Sequence, residues 1–419
     1  MATPHIAIIG AGPAGLTLSL LLHKQSIPNT IYELRPKPIS SDLLKPSGSL
    51  DLHEESGLAA LREANLYDSF LALTGECSEA QRVSDKGGNI IYQDEGELSQ
   101  RPEIERDVLT NLLANALPEN TIRYEHKLLS VTETSTKKVE LDFGSHGIKI
   151  FDLVIGADGA WSRVRNALTN EKPYYTKTQL ITGTIPNITS RYPQLAELVG
   201  KGSFSALGNR HGVMSQRGSG DSARIYTFLS SPDEDFPDTS GLKDANFKQA
   251  SDKLLTDPTL LGSFGPLIKK LASTSWETTP ESITANKLNL KPLYTLPPNT
   301  SFPHSQQGNI TLIGDAAHLM PPWAGEGVNL AMWDSLLLSR AIGTALRESK
   351  ARGGDGDGRS FLNALNPILV EFEAEMFSRA GEKAEETRGN GEMMFSEDGA
   401  ENFKKFFESV YGALDGGEC

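Results

Sequence analysis

Three glycines near the N terminus have the spacing of a dinucleotide-binding loop. Gly10, Gly12 and Gly15 follow a short apolar run at residues 5–9 and precede a segment of helix-forming composition at residues 16–24. Such a loop turns tightly, lets a pyrophosphate approach the backbone and packs the helix on the strand, while the helix N terminus attracts phosphate. The residues predicted to form it are Gly10, Gly12, Pro13, Ala14 and Gly15.

An acidic residue follows at the distance that a bound ribose requires. Residues 30–33 form a candidate second strand, and Glu33 lies 23 positions beyond Gly10. A carboxylate here accepts hydrogen bonds from the adenosine ribose and disfavours a 2′-phosphate, which indicates FAD or NAD rather than NADP. Arg35, two residues further on, is a further candidate for binding the cofactor.

Two more glycine-containing loops follow apolar strands. Residues 151–155 lead into Gly156-Ala-Asp158-Gly159, and residues 310–313 lead into Gly314-Asp315 and a helix over 328–347. Either loop alone is an ordinary strand–loop–helix turn. Together with the N-terminal loop they predict a nucleotide-binding domain assembled from both ends of the chain.

The composition describes an acidic globular chain. Forty basic and 54 acidic residues among 419 give a net charge of −14, which opposes binding to nucleic acid or an anionic membrane surface. Residues 6–22 carry no charge, but three glycines and a proline interrupt them and only His5 precedes them where a signal peptide has a basic region. We therefore expect neither a signal peptide nor stable membrane insertion.

Cysteine and histidine usage excludes several kinds of site. Cys77 and Cys419 are too few for a disulfide framework, so we expect a reducing, cytoplasmic location. The eight histidines are scattered, His53-Glu-Glu lacks the second His of a metalloprotease helix, and no G-x-S-x-G occurs. The sequence predicts no metal site and no catalytic side-chain nucleophile.

The three motifs resemble those of the single-component (class A) FAD-dependent monooxygenases of the p-hydroxybenzoate hydroxylase fold. Residues 156–165 look like that family's D-G motif, residues 314–330 like its G-D motif, and Arg106-x-x-Leu109 like its FAD-contacting helix. Residues 48–53, 102–106 and 314–328 are most similar to the tetracycline-inactivating branch. The chain departs from that branch by additional residues around 36–46, by the segment 351–359, and by Glu326 where Gln is usual.

The resemblance implies an α/β fold with interleaved domains. We predict a Rossmann-like FAD-binding domain over residues 1–78, 100–175 and 291–350, a β-rich substrate domain over 79–99 and 176–290, and a C-terminal helical segment over 359–419. A hairpin is expected at 80–93, and alternating strands from about 175 to 290. The Gly- and Asp-rich residues 352–359 have the composition of a linker.

FAD is implied as the resident cofactor and NAD(P)H as a transient co-substrate. Residues 322–329 are expected to line the isoalloxazine, Asp315 to bind near the ribityl chain, and Asp158, Gly159 and Arg163 to shape the nicotinamide dock and brace the FAD loop. The implied cofactor-binding residues beyond the N-terminal loop are Glu33, Arg35, Asp51, Arg106, Asp158, Gly159, Arg163, Gly314, Asp315, Pro322, Ala324, Gly325, Gly327, Val328 and Asn329.

The implied substrate site differs from that of the tetracycline-inactivating branch. Residues 208–210 resemble a tripeptide whose Arg approaches substrate there, which points to Arg210. That branch's substrate-anchoring Gln and His correspond to Thr182 and Ile225, so a polar polyketide would lose hydrogen bonds at both positions. The predicted substrate-binding residues are Thr182, Arg210, Met214, Ile225, Pro322, Trp323 and Gly325.

By this resemblance the protein is an oxidoreductase that hydroxylates or epoxidises a bulky aromatic, enolic or indolic molecule, polycyclic in the leading hypothesis, with O₂ through a flavin C4a-hydroperoxide. The cofactor does the chemistry, while the protein excludes water and places the backbone N–H groups of residues 325–329 at the flavin. His318 is expected to brace its loop rather than act as a base, and Glu326 to be solvated or ion-paired. We expect a monomer whose partners are small molecules.

Four alternatives to this hypothesis exist. A tetracycline-inactivating hydroxylase is the second enzyme candidate. A flavin halogenase is disfavoured because the W-x-W-x-I-P signature is absent, and a disulfide reductase because the cysteines and a second nucleotide domain are missing. A flavin-binding redox sensor or drug-sequestering protein without turnover stays open.

Overall fold

The computed structural model, which describes residues 3–39, 48–74, 80–96, 102–218, 220–298, 300–305, 308–352 and 358–411, divides into two units that alternate along the sequence. Unit 1 comprises Met1–Leu73, Ile104–Tyr174 and Tyr294–Thr387. Unit 2 comprises Thr74–Glu103, Tyr175–Leu293 and Arg388–Cys419. Both cysteines and residues 353–357 of the predicted linker lie outside the described residues.

The strands of the described residues are, in chain order, β1 (Ile6–Ile9), β2 (Asn29–Tyr32), β3 (Ser49–Asp51), β4 (Gln81–Asp85), β5 (Ile90–Asp94), β6 (Glu103–Glu105), β7 (Ile122–Arg123), β8 (Ser130–Glu133), β9 (Val139–Asp142), β10 (Ile148–Phe151), β11 (Leu153–Gly156), β12 (Tyr174–Ile185), β13 (Ser203–Gly208), β14 (His211–Gly218), β15 (Ser222–Ser230), β16 (Lys291–Thr295) and β17 (Ile310–Leu312).

The α-helices, again in chain order, are α1 (Pro13–Lys24), α2 (Ala59–Glu63), α3 (Tyr67–Leu71), α4 (Arg106–Asn115), α5 (Ile188–Arg191), α6 (Pro193–Val199), α7 (Phe236–Thr239), α8 (Phe247–Thr256), α9 (Pro266–Thr278), α10 (Pro280–Ala285), α11 (Asp315–His318), α12 (Gly327–Ala351), α13 (Arg359–Met394) and α14 (Gly399–Tyr411). A π-helical turn at Glu54–Leu58 and 3₁₀ turns at Gly144–His146, Arg165–Ala167 and Pro322–Ala324 complete the list.

A parallel sheet of five strands, ordered β17-β11-β1-β2-β7, lies at the centre of unit 1. Strands β1 and β11 are buried along their whole length, which explains their continuous apolar sequences. Because the strands run in parallel, the loops that follow β1, β2, β11 and β17 all emerge at one edge of the sheet. The three glycine loops and Glu33 therefore meet at that edge, where ligands of open α/β sheets bind.

The sheet order also locates a crevice within that edge. From β1 the chain passes through α1 to β2 on one side, and β11 pairs with β1 on the other side. The connection directions thus diverge between β1 and β11, which makes a topological switch point. The N-terminal glycine loop and the loop after β11 lie on the two sides of this point.

Unit 2 contains most of a seven-stranded sheet, ordered β16-β12-β15-β14-β13-β4-β5. The predicted hairpin at 80–93 is confirmed as the antiparallel pair β4 and β5, and Gly88 adopts a positive φ of 100° in its turn. One face of the sheet carries an apolar core that includes Ile181, Val213 and Trp276. A Cβ on Gly183 would lie 2.5 Å from the carbonyl oxygen of Ser275, so this glycine lets α9 approach the sheet closely.

Helices α5 to α10 in unit 2 were not anticipated from the sequence, which showed alternating strands across this region. In α9 the small polar residues Ser273, Thr274 and Ser275 are buried beside Ile268 and Leu271. Their burial hides the helical period of the apolar residues, because a hydrophobicity pattern counts them as exposed. The α/β fold class is confirmed, with more helix in this module than expected.

The C-terminal helices do not form a separate segment over 359–419. Helix α13 contributes Leu365, Leu369 and Phe372 to the core of unit 1, and the chain passes into unit 2 after Thr387. Helix α14 packs on β4 and β13, where Phe407 stacks on Tyr92 with ring centroids 5.2 Å apart. The assignment of FAD binding to one set of segments and substrate binding to the other stays a prediction.

Candidate functional site

The N-terminal loop contains two glycines that the fold itself requires. Gly10 has a φ of +107°, and a Cβ there would lie 2.3 Å from the carbonyl oxygen of Ala157. A Cβ on Gly15 would lie 2.1 Å from the carbonyl oxygen of Gly10. At both glycines the backbones of β1, α1 and β11 approach one another so closely that they leave no room for a Cβ. Even alanine would therefore displace the backbone at either position.

Gly12 is a glycine that packing does not explain. Its φ of −81° and ψ of 179° suit any residue, and no heavy atom of the described residues lies within 4 Å of a Cβ built on it, its chain neighbours apart. A residue type that the protein's own packing does not demand is the expected sign of a backbone approached by a ligand. Gly12 is also the N-cap of α1.

Helix α1 presents its N terminus to this space. Pro13 occupies the first helical position, where a missing N–H is harmless, and the first turn carries no acidic side chain. The N–H groups of Ala14 and Gly15 have no partner within the helix, and the helix dipole adds positive potential. The helix start therefore offers N–H donors to an anion.

Glu33 holds the glycine loop from the end of β2. One oxygen of its buried carboxylate accepts the N–H of Ala11 at 2.8 Å, and the other accepts the N–H of Arg35, also at 2.8 Å. The Arg35 side chain is exposed and lies 3.3 Å from the same carboxylate. Each carboxylate oxygen keeps a second lone pair, so Glu33 can accept ribose hydroxyls while it positions the loop.

The loop after β11 is organised around Asp158. Its carboxylate accepts the Ser162 hydroxyl and the Arg163 N–H, the latter at 2.7 Å. Burial raises the pKa of Asp158, and these hydrogen bonds partly oppose the rise. Gly159 follows with a φ of +77°. The Asp158 side chain thus closes its own loop and fixes the turn at Gly159.

Arg165, rather than Arg163, ties this loop to the one after β17. Its buried guanidinium donates to the carbonyl oxygens of Ala160 at 2.6 Å and Ala316 at 3.0 Å. The side chain of Arg163 is exposed and reaches the Leu129 carbonyl oxygen at 3.3 Å. The bracing role expected of Arg163 therefore falls to Arg165, and the part of Arg163 in docking nicotinamide stays a prediction.

The loop after β17 is anchored by a buried ion network. Asp334 of α12 accepts the N–H of Gly314 at 3.0 Å, contacts His318 Nε2 at 2.6 Å and pairs with Arg379 of α13 at 3.0 Å. Burial disfavours the charged imidazole, but the Asp334 carboxylate outweighs it and raises the pKa of His318. Despite burial, His318 and the Gly314 N–H lower the pKa of Asp334. The expected bracing role of His318 is confirmed.

Asp315 behaves differently from its buried neighbours. Its side chain is exposed at the start of the short helix α11, in a recess where loss of surrounding water raises the pKa of the carboxyl. Positive charge on His318, Arg106 and Arg165 partly opposes the rise. Arg106 is itself exposed at the first position of α4, and its N–H donates to the Gly48 carbonyl oxygen at 2.9 Å. An exposed acid and an exposed base thus lie near each other at the sheet edge.

The loop at residues 322–329 leads into α12. Gly325 has a φ of +70°, and a Cβ there would lie 3.5 Å from the Asp51 carboxylate. Gly327 has an open environment, since among the residues that the structure describes none has an atom within 4 Å of the Cβ position, apart from its chain neighbours and the backbone of its own helix. Pro322 is exposed, while Trp323, Ala324 and Val328 are half-buried. Like Gly12, Gly327 leaves backbone open to a ligand.

Asn329 has a structural task that the sequence did not reveal. Its side chain accepts the His53 N–H at 2.9 Å and donates to the Asp51 carbonyl oxygen at 2.9 Å. The residue is buried, and its Oδ1 also accepts the Ser56 hydroxyl. Asn329 thus clamps the start of α12 to the segment after β3, and any contact that it makes with a cofactor stays a prediction.

The residues predicted to bind substrate divide between the two units. In unit 2, Met214 of β14 and Thr182 of β12 both pair with Tyr226 of β15, so the three side chains share one face of the sheet. Met214 and Thr182 are half-buried there. Ile225 lies on the opposite face and is fully buried in the core. It is therefore corrected to a core residue, and Tyr226 takes its place on the candidate face.

Arg210 lies at one end of this sheet. Asn209 and Arg210 form the hairpin turn between β13 and β14, with positive φ values of 49° and 63°. The Arg210 guanidinium is exposed and forms an ion pair with Glu397 at 3.2 Å. A substrate contact from Arg210 would thus compete with Glu397.

Metal-ligating clusters and membrane-spanning helices are both absent from the part of the chain that the structure describes. Within it, His, Cys, Asp and Glu side chains form no group of three or more suited to a metal ion. No helix there combines the length and the apolar character needed to cross a bilayer.

Comparison with known proteins places the chain in a family. A family model described as FAD binding domain matches residues 3–266 and 299–354. Together with the curated relative described next, this match shows that the chain belongs to the FAD-dependent monooxygenases, which are oxidoreductase enzymes with FAD as cofactor. The predicted class is confirmed.

Three similar proteins illustrate the family. Monooxygenase penA of Penicillium thymicola is 33% identical over 96% of this chain and 98% of its own length. A salicylate hydroxylase in complex with substrate has a TM-score of 0.73 and 19% identity, covering 100% of this chain and 96% of its own. The tetracycline destructase Tet(55) has a TM-score of 0.68 and 18% identity, covering 99% and 97%. The two solved structures share the fold.

The described residues fit FAD at the sheet edge. Gly12 and Gly327 leave open space at the backbone where side chains would otherwise stand. The start of α1 supplies N–H donors for a pyrophosphate, and Glu33 supplies acceptors for a ribose. Each group is of the type that the corresponding part of FAD requires.

Proposed function

We propose that the protein uses NAD(P)H and O₂ to insert one oxygen atom into a bulky aromatic, enolic or indolic small molecule. When bound, FAD supplies the reduction of O₂ and the transfer of the oxygen atom. Membership of the family establishes monooxygenase chemistry. The identity of the reductant and the class of substrate are what we propose here.

A single observation supports the proposed location of the FAD site. The loops after β1, β2, β11 and β17 converge at one edge of a parallel sheet, although they are separated by up to about 300 residues in sequence. Within that convergence Gly12 and Gly327 are open glycines. We infer that the adenosine and pyrophosphate lie along the loop at residues 10–15, and the isoalloxazine along residues 322–329.

The chain's own residues then bind and orient the cofactor. Glu33 would accept the ribose hydroxyls, and the N–H groups of Ala14 and Gly15 would hold phosphate oxygens. Backbone N–H groups at the start of α12, around Gly327 and Val328, would face the side of the ring where negative charge develops. Asp334 and Arg165 keep the loops in place, since both are buried and bonded to loop backbone.

The proposed reductant site uses exposed groups. Gly159 has a positive φ of 77° in the loop after β11, and the side chain of Arg163, four residues later, is exposed to solvent. An exposed cation next to an open loop suits the phosphates of a nicotinamide dinucleotide that binds briefly and leaves. NAD(P)H would therefore reduce FAD without a second nucleotide domain.

The substrate class follows from the face of the unit 2 sheet that carries Met214 and Tyr226. Phe228 continues that face, 6.3 Å from Tyr226 between ring centroids, and Phe395 packs 5.2 Å from Phe228. Aromatic and thioether side chains favour a planar, electron-rich ligand over a hydrated polar one. Thr182 is one of the polar residues that β12 adds to this face, together with Thr178 and Thr184. These side chains support an aromatic substrate with fewer polar groups than tetracycline.

The test follows flavin reduction and product mass in one preparation. Purified protein with FAD is mixed anaerobically with NADPH or NADH, with and without a panel of phenols, indole alkaloids and aromatic polyketides. We expect at least one compound to accelerate bleaching of the flavin absorbance, and its aerobic product to gain one oxygen atom. Flavin that stays oxidised with every compound and either reductant would instead favour a flavin-binding sensor or sequestering protein.

A further inference from the structure

Glu326 lies inside the loop that we propose lines the flavin, between Gly325 and Gly327 at the N-cap of α12. Its side chain is only 11% exposed. A carboxylate that is largely removed from water needs a partner, because an unpaired buried charge is strongly unfavourable.

The partner of Glu326 comes from a distant helix. Lys383 of α13 places its Nζ 2.7 Å from one carboxylate oxygen of Glu326. His53 Nδ1 lies 3.6 Å from the other oxygen, and His53 Nε2 lies 3.1 Å from Asp51. Lys383 also pairs with Glu386 on its own helix, at 3.1 Å. These are the charged and titratable groups that the described contacts give to Glu326 and Lys383.

The pair has an electrostatic consequence at the loop. Two-electron reduction of FAD places negative charge on the ring, so a nearby anion opposes reduction and a nearby cation favours it. Glu326 alone would make the loop anionic. Lys383 compensates this charge at short range, and burial of the carboxylate limits screening by salt. Glu386, which is half-exposed, is screened more effectively.

We propose that Lys383 is a positioning residue that compensates the charge of Glu326 and so sets the reduction potential of the bound FAD. The proposal rests on the placement of the isoalloxazine at residues 322–329. The two partners have opposite signs, so removing either one shifts the potential in a direction that the charge alone dictates. Removing both partners returns the loop to the net charge that it has in the unmodified protein.

The experiment measures the potential of bound FAD in four variants. Glu326→Gln leaves Lys383 uncompensated and should raise the potential, while Lys383→Met leaves Glu326 uncompensated and should lower it. We expect each change to alter the ratio of reduced to oxidised affinity by about tenfold, which corresponds to about 30 mV for a two-electron couple. The double variant should return close to the unmodified protein.

Arg388→Met is the matched control, since it removes a cation from the same helix. Arg388 is half-exposed and pairs with Glu392, so its loss should leave the potential unchanged. Shifts of the potential in the same direction for both single variants, or no shift in either, would overturn the proposal. Loosened packing around the loop would not shift the potential in opposite directions in the two variants, whereas a change of charge would. The affinity for oxidised FAD is measured in parallel. Failure of the unmodified protein to bind FAD would contradict the proposed function instead.

Discussion

At the scale of single residues, the open glycines and the buried charges have separate tasks. Gly10 and Gly15 are required by close approaches within the protein, whereas no such approach requires Gly12, which we propose lies against the pyrophosphate. Asp334 and Arg165 lie behind the loops and hold them through backbone groups. None of these residues needs to react, because the cofactor supplies the chemistry. Substitutions should therefore separate loss of cofactor from loss of stability.

Asp334→Asn should destabilise the protein by about 3–5 kcal/mol, because it leaves Arg379 and His318 without their buried counter-charge. The free energy of unfolding is measured by urea titration with saturating FAD. Asp238→Asn is the control, since it breaks an exposed ion pair with Lys243 and should leave the free energy of unfolding almost unchanged. A similar loss of unfolding free energy in both variants would contradict the proposed contribution of the buried ion network to stability.

The same network predicts a pH dependence. The pKa of His318 is raised in the folded state, so its contribution to stability is complete below the unfolded-state pKa and is lost as pH rises through the folded-state value. His318→Gln should lack this decline on the alkaline side. Urea titrations across neutral to alkaline pH provide the measurement, and parallel curves for the two proteins would contradict the assignment.

At the scale of elements, strand register decides which side chains face a substrate. A shift of one residue moves a side chain from one face of a strand to the other. Sequence similarity pointed to Ile225, whereas the pairing of β15 with β12 and β14 puts Tyr226 beside Thr182 and Met214. The sequence pointed to β15, but only the observed pairing shows which of its residues share a face with Thr182 and Met214.

Neighbouring substitutions on β15 test this assignment. Ile225→Ala should cost about 2–5 kcal/mol of unfolding free energy because it opens a cavity in the core. Tyr226→Ala should cost less, keep normal FAD content, and reduce the acceleration of NADPH oxidation by an aromatic substrate. Urea titration and steady-state kinetics distinguish the two effects. A substrate defect in Ile225→Ala with unchanged stability would reverse the assignment.

How much the sequence predicts depends on whether a residue acts through local or distant contacts. The three glycine loops were predictable because their strands, turns and helices are contiguous in sequence. The sequence did indicate that Asp334 is unusual, because it is a charged residue within the largely apolar run 330–338. Its partner Arg379, however, lies 45 residues further on and could not be predicted. Nothing in the sequence indicated the ion pair of Lys383, because the side of a long helix that this residue occupies depends on how α13 packs in unit 1.

At the scale of the whole molecule, the chain begins in unit 1 and returns to it twice to complete one sheet edge. The family match covers both the first and the later segments of that unit. The account's central claim is that this edge holds FAD through the loop at residues 10–15, and the most direct measurement is the amount of FAD bound per chain when that loop is altered.

Gly12→Glu should abolish FAD binding, because its open Cβ position would hold a carboxylate against the pyrophosphate. Gly389→Glu is the matched control: Gly389 is an exposed glycine of α13 whose Cβ position is also open toward the described residues. FAD content is measured from the flavin absorbance of protein reconstituted with excess FAD. We predict one FAD per chain in the unmodified protein and in Gly389→Glu, and none in Gly12→Glu. A full complement of FAD in Gly12→Glu would contradict the account.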